Sequence, residues 1–169
     1  LMVGLGSVMV LLPVFAADIL HVGPEELGLM RGMPAIGSVL MGVFLATRRH
    51  EISSAGIKLW VSLIVFASSI LVFSVSEIFV LSLLALFFYG ASDMVSVNIR
   101  MGMVQAATPE NLRGRVAAVN MLFIQTSNEG GDVRGGALAG LIGPTFTVLA
   151  GGIMSLGFLF WSRKQFPEL

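Results

Sequence analysis

The stretch VAAVNMLFIQTSNEGGDVRGGALAGLI, residues 116–142, decides how this chain is read. Its length and apolar frame suit a membrane-crossing helix, which needs about 20 residues. Yet it carries Glu129, Asp132 and Arg134. A charged side chain near a bilayer midplane costs roughly 3 kcal/mol or more. Gln125, Asn128, Glu129 and Asp132 recur at spacings that place them on one helical face. A polar stripe along a span faces a water-filled cavity or a partner helix rather than lipid. The stretch therefore predicts a transport pathway, with Glu129 near its midpoint.

Composition supports a membrane setting. Of 169 residues, 56% are hydrophobic and only 12% charged, and the mean hydropathy is +0.91. Soluble domains carry about a quarter charged residues. A net charge of zero argues against a nucleic-acid partner. Cysteine is absent, which excludes disulfides, thiolate chemistry and cysteine-based metal sites. The sequence opens on Leu1, already apolar and without a signal-peptide pattern, and is expected to be part of something longer.

Six apolar runs are long enough to span, at about residues 1–20, 27–46, 57–75, 78–101, 116–142 and 144–161. The predicted fold is an all-α membrane protein, a bundle of six transmembrane helices forming one domain over residues 1–169. Turn residues separate the runs: His21-Val22-Gly23-Pro24, Ser53-Ser54-Ala55-Gly56 and Gly143-Pro144. Thr108-Pro109-Glu110 reads as a helix start, with Thr108 as the N-cap of a short interfacial helix. One set of ends carries Arg48, Arg49, Lys58, Arg100, Arg113, Arg115, Arg163 and Lys164; the other has Asp18, Glu25, Glu26 and Glu77, with Arg31 as the exception. The positive-inside rule places the basic ends, and the C-terminus, in the cytoplasm of a multi-pass protein of the cell inner (plasma) membrane.

Charge is unevenly shared among the runs. The third and sixth have none between Trp60 and Val75 or between Thr145 and Trp161, whereas the fourth and fifth hold Asp93, Asn98, Arg100, Asn120, Gln125, Asn128, Glu129, Asp132 and Arg134. That split is what a three-plus-three repeat gives. Asp93 and Arg100, seven residues apart, share a face of the fourth run. Asp93, Asn120, Gln125, Asn128, Glu129 and Asp132 are thus the candidate substrate or ion pathway. Arg100, Arg113, Arg115 and Arg134 are candidates for gating or for fixing topology. Arg134 stands five residues after Glu129 and two after Asp132, too close for a standard helical pair with either. The bland alternatives are a structural ion pair for the acids and snorkelling or headgroup contact for the arginines. Gly28-x-x-x-Gly32, Gly131-x-x-x-Gly135 and Gly136-x-x-x-Gly140 have the spacing of close helix packing. No His/Asp cluster has metal spacing, no glycine loop matches a phosphate site, and no Ser/His pair suggests hydrolysis. No catalytic residue, metal or cofactor is expected.

The segment Thr108-Pro109-Glu110-Asn111-Leu112-Arg113-Gly114-Arg115-Val116, then Asn120 and Ser127-Asn128-Glu129-Gly130-Gly131, resembles the tenth-to-eleventh helix region of major facilitator superfamily transporters. It is most similar to the branch of enterobactin-type exporters and transmembrane secretion effectors. Leu12-Pro13-Val14-Phe15-Ala16 and Val22-Gly23-Pro24-Glu25-Glu26-Leu27-Gly28 fit that branch's seventh and eighth helices. The resemblance implies a C-terminal six-helix half of a twelve-helix fold, with the N-terminal half as its missing partner. It also implies a transporter rather than an enzyme. The superfamily's signature loop would fall from Gly42 to Arg48-Arg49-His50, but Ala46 stands where its aspartate belongs. The expected function is proton-coupled efflux of a small amphiphilic molecule such as a drug or siderophore. The alternatives are a polytopic membrane enzyme acting on lipid and a membrane assembly protein without transport.

Overall fold

The computed structural model describes residues 7–47 and 55–165. Among them the chain is helical apart from short connections, without strands. Helix α1 runs over Ser7–Val14 and continues as a wider π turn, Phe15–Ile19. There follow α2 (Pro24–Thr47), α3 (Ala55–Val75), α4 (Phe79–Ala107), a 3₁₀ turn (Glu110–Leu112), α5 (Arg113–Ile142) and α6 (Pro144–Gln165). Four of these, α2, α3, α4 and α6, are long and apolar enough to cross a membrane. Helix α1 is a shorter apolar helix, and α5 is long enough at 30 residues but interrupted by its polar stripe.

Prolines and glycines set the breaks. Pro13 lies inside α1 and cannot donate a backbone bond. The turn after it loosens, so that Leu20 N–H reaches the Phe15 carbonyl at 2.9 Å and Val22 N–H reaches that of Ala16 at 2.9 Å. His21 then reverses the chain with φ 51°. Gly143, at φ 89°, ends α5, and its carbonyl accepts both the backbone N–H of Thr147 at 3.2 Å and its hydroxyl at 2.8 Å. Pro144 opens α6 at the position where its missing N–H costs nothing. Thr108 behaves differently from the N-cap expected of it. Its hydroxyl donates backwards to the Val104 carbonyl at 2.6 Å, so it closes α4, and no side chain caps the 3₁₀ turn.

The core gathers at one end. Phe15 of α1, Met30 of α2, Phe73 of α3, Leu86 of α4 and Val148 of α6 are fully buried, and the Phe15 and Phe73 rings lie 4.8 Å apart. This is the end that carries Asp18, Glu25, Glu26 and Glu77. Five buried serine hydroxyls are satisfied locally: Ser62, Ser69, Ser74, Ser92 and Ser155 donate to carbonyls three or four residues back at 2.6–2.8 Å. In an apolar medium that removes the cost of an unpaired polar group.

Backbone meets backbone where α2 crosses α4. A Cβ at Gly37 would collide with the Phe87 carbonyl, and one at Gly90 with the backbone of Pro34. Ser38 clamps the crossing by donating to the Gly90 carbonyl at 2.9 Å. The expected packing at Gly28 and Gly32 is not found, since a Cβ at either would meet nothing within 4 Å. Gly131 and Gly135 are the buried residues of α5, whereas Gly140 faces open space. Gly90→Ala should therefore cost about 1–3 kcal/mol or more of overpacking. Gly28→Ala should be neutral or gain roughly 0.5–1 kcal/mol from helix propensity. Thermal unfolding of the two variants in detergent checks the contrast.

Candidate functional site

Asp93 is the middle residue of the 29-residue α4. Counting along that helix at 100° per residue, Tyr89, Asp93, Ser96 and Arg100 form one stripe, about a quarter-turn from Gly90. The Gly90 contact with α2 thus fixes where the stripe looks. Tyr89 is held by its ring, stacked on Phe66 of α3 with centroids 4.5 Å apart. Arg100 anchors the stripe's other end. Its Nε donates to the Ser96 carbonyl at 3.2 Å, and its Nη2 stands 4.0 Å from Asp93 Oδ1. At that distance the attraction is about 1 kcal/mol in water and about 4 kcal/mol at a surface-like dielectric. Water entering the site therefore loosens the pair. The Ser96 hydroxyl is buried and has no partner among the described residues.

On α5 the predicted stripe divides. Gln125 and Glu129 are exposed and hydrogen-bonded to each other, Nε2 to Oε1, at 3.5 Å. Asn128 and Asp132 are half-buried. Asp132 Oδ1 and Arg134 Nε are buried without hydrogen-bond partners among the described residues. Asn120 turns to α4 and donates to the sulfur of Met101 at 3.5 Å. Towards the basic end α4 and α5 part around a cleft of about 260 Å³, lined by Val97, Arg100, Met101, Met103, Val104, Asn120 and Ile124.

The remaining arginines stand apart. Arg113 is the first residue of α5, 3.6 Å from Glu110 and donating to the Thr108 carbonyl at 3.3 Å. Arg115 is exposed. The signature-loop positions Arg48, Arg49 and His50 lie outside the described residues. Tyr89 was missed in the sequence; as the chain's sole tyrosine, four residues before Asp93, its helical spacing was the available signal. Among the described residues no group of His, Asp or Glu could hold a metal ion.

A bundle of long apolar helices with acids at mid-helix is the build of a multi-pass membrane protein. The chain belongs to the transmembrane secretion effectors of the major facilitator superfamily, whose family pattern it matches over residues 2–169. Membership points to a membrane transporter rather than an enzyme. No curated protein and no solved structure matches the chain.

The contact between Asn120 and Met101 gives the site a direct geometric test. In the cysteine-free chain, the pair Met101→Cys/Asn120→Cys should be joined by a short bifunctional thiol reagent in membranes. Val80→Cys/Asn120→Cys, at opposite ends of the bundle, should not. Gel mobility after cleavage at a site engineered between the helices reads the result.

Proposed function

We propose that the chain is the C-terminal half of a proton-coupled exporter of small amphiphilic molecules, drugs or siderophores among them. The observation that carries this reading is the placement of ionisable groups at mid-helix depth. Asp93 is central in α4, in a stripe that also holds Tyr89 and Arg100, and Glu129 and Asp132 are near the centre of α5. Intramembrane carboxylates are costly, and transporters keep them to exchange protons and line pathways. Asp132 and Arg134 lack partners among the described residues, and water or another helix has to supply them. The missing N-terminal half is the natural source of that helix.

Helix pairing supports a three-plus-three repeat. Helix α2 packs on α4 as α5 packs on α1, α3 packs on α4 as α6 packs on α1, and α3 meets α6. Advancing every label by three exchanges these pairings, while the contacts of α5 with α6 and of α1 with α2 have no counterpart of comparable extent. In that arrangement α1 to α3 and α4 to α6 would be the two units of an inverted repeat. The positive-inside rule orients the basic ends to the cytoplasm of the inner membrane. The core then closes the outer end, and the α4–α5 cleft opens inward, which suits loading a substrate for export. Protonation of Asp93 would release Arg100, giving the proton a means to change the cleft's charge.

Two experiments test this. In the complete transporter, Asp93→Asn and Glu129→Gln should each lower proton-driven flux per folded molecule at least about tenfold, with abundance near wild type. Flux normalised to folded protein across a pH gradient measures it. A loss of folded protein with normalised flux intact would instead assign the acids to structural ion pairs. For orientation, single cysteines at Glu25 and Thr47, both exposed and at opposite ends of α2, should react with an impermeant thiol reagent from opposite sides, Glu25 from outside. Reaction of both from one side would refute the topology.

A further inference from the structure

Two donors on the α4–α5 cleft are weakly engaged, one by a poor acceptor and one at a long distance. The amide of Asn120 points its N–H at a thioether sulfur, 3.5 Å away, and sulfur accepts weakly. The guanidinium of Arg100 spends Nε on a backbone carbonyl and faces Asp93 only at 4.0 Å, beyond the 2.7–2.9 Å of a strong charge-assisted bond. Both side chains line the same cleft, and Arg100 is the only charged residue among those that do. The rest of the lining is aliphatic or methionine, with Val97, Val104 and Ile124 forming the apolar wall. An apolar pocket with a few convergent polar groups is the general build of a small-molecule site. The methionines, Met101 and Met103, are flexible enough to fit apolar groups of different shape.

We infer that this cleft binds a small amphiphilic carboxylate, its anionic head on Arg100 and Asn120 and its hydrocarbon part against Val97, Val104 and Ile124. Asn120 would exchange a thioether for a carboxylate oxygen, Arg100 would exchange a long contact for a close one, and a carboxylate fits the guanidinium fork in two-pronged fashion. At about 260 Å³ the cleft lies just under the roughly 300–1,000 Å³ of typical ligand pockets. It therefore takes a compact molecule or one end of a longer one. That the occupant is the exported substrate rests on the proposed function; that the cleft binds it does not, and binding is measured without flux.

The test uses tritiated decanoate and scintillation proximity on the purified chain in phosphatidylcholine nanodiscs. Saturable binding is expected, displaced by unlabelled decanoate but at least about tenfold less well by decanol or decyltrimethylammonium. Arg100→Gln should weaken binding at least about tenfold, and Arg100→Lys should retain part of it. Val104→Trp, which fills the cleft and keeps Arg100, should also abolish binding; both variants are checked for a monodisperse, thermally cooperative fold. Unaltered binding in folded Arg100→Gln or folded Val104→Trp overturns the inference, as does equal displacement by decanol. Should phosphatidylglycerol in the nanodisc abolish decanoate binding, the occupant is a lipid headgroup and the inference fails. Normal decanoate binding with no flux in the complete transporter would leave the site standing and sink the export reading.

Discussion

The contact of α2 with α4 at Gly37 and Gly90 governs the geometry of the site. Inside a bilayer, helices gain little by hiding apolar surface from each other, because lipid is equally apolar; they associate by close packing and by hydrogen bonds. Here two glycines remove the side chains that would keep the backbones apart, and Ser38 adds a bond to the Gly90 carbonyl. Once Gly90 faces α2, the rotation of α4 is settled. Tyr89, Asp93, Ser96 and Arg100 are then turned away from α2, Tyr89 against Phe66 of α3 and Arg100 into the cleft that Asn120 of α5 also lines. The polar stripe is held in place by a backbone contact about a quarter-turn around the helix.

The two ends of the molecule differ in the same spirit. Aromatic and aliphatic side chains of α1, α2, α3, α4 and α6 interlock at the acidic end. At the other end the helices separate around the α4–α5 cleft and around a second, almost wholly apolar groove between α2, α3 and α4. Close packing resists deformation and loose packing does not. A rigid end opposite a yielding one is a sensible layout for helices that tilt against each other.

Much of this was legible in the residues. Hydropathy and charge gave the helical membrane character, and the Pro-Glu-x-x-Arg-Gly-Arg element pointed to the family. The carboxylates of α4 and α5 stood out because lipid makes them expensive. Other features were hidden for definite reasons. Close-packing glycines were sought as pairs on one helix, but the crossing draws Gly37 from one helix and Gly90 from another, and no spacing rule links them. Thr108 misled because a hydroxyl can bond back to the helix it ends as readily as forward to the one it starts. Tyr89 was passed over because a tyrosine in an apolar run reads as packing until the acids near it are placed in space.

Helix α5 has a consequence for how the protein reaches the membrane. Only Gly131 and Gly135 of its 30 residues are buried, and Glu129, Asp132 and Arg134 crowd its centre. Acidic or basic residues at a helix centre each cost roughly 2.5–3.5 kcal/mol on insertion scales. Such a segment is a poor candidate to leave the translocon for lipid by itself. Its exit has to be coupled to α6, which follows after a single glycine at position 143, and to α1, already in the bilayer and touching α5. The polarity of α5 thus makes biogenesis cooperative, with the most polar helix depending on its neighbours for entry into the bilayer.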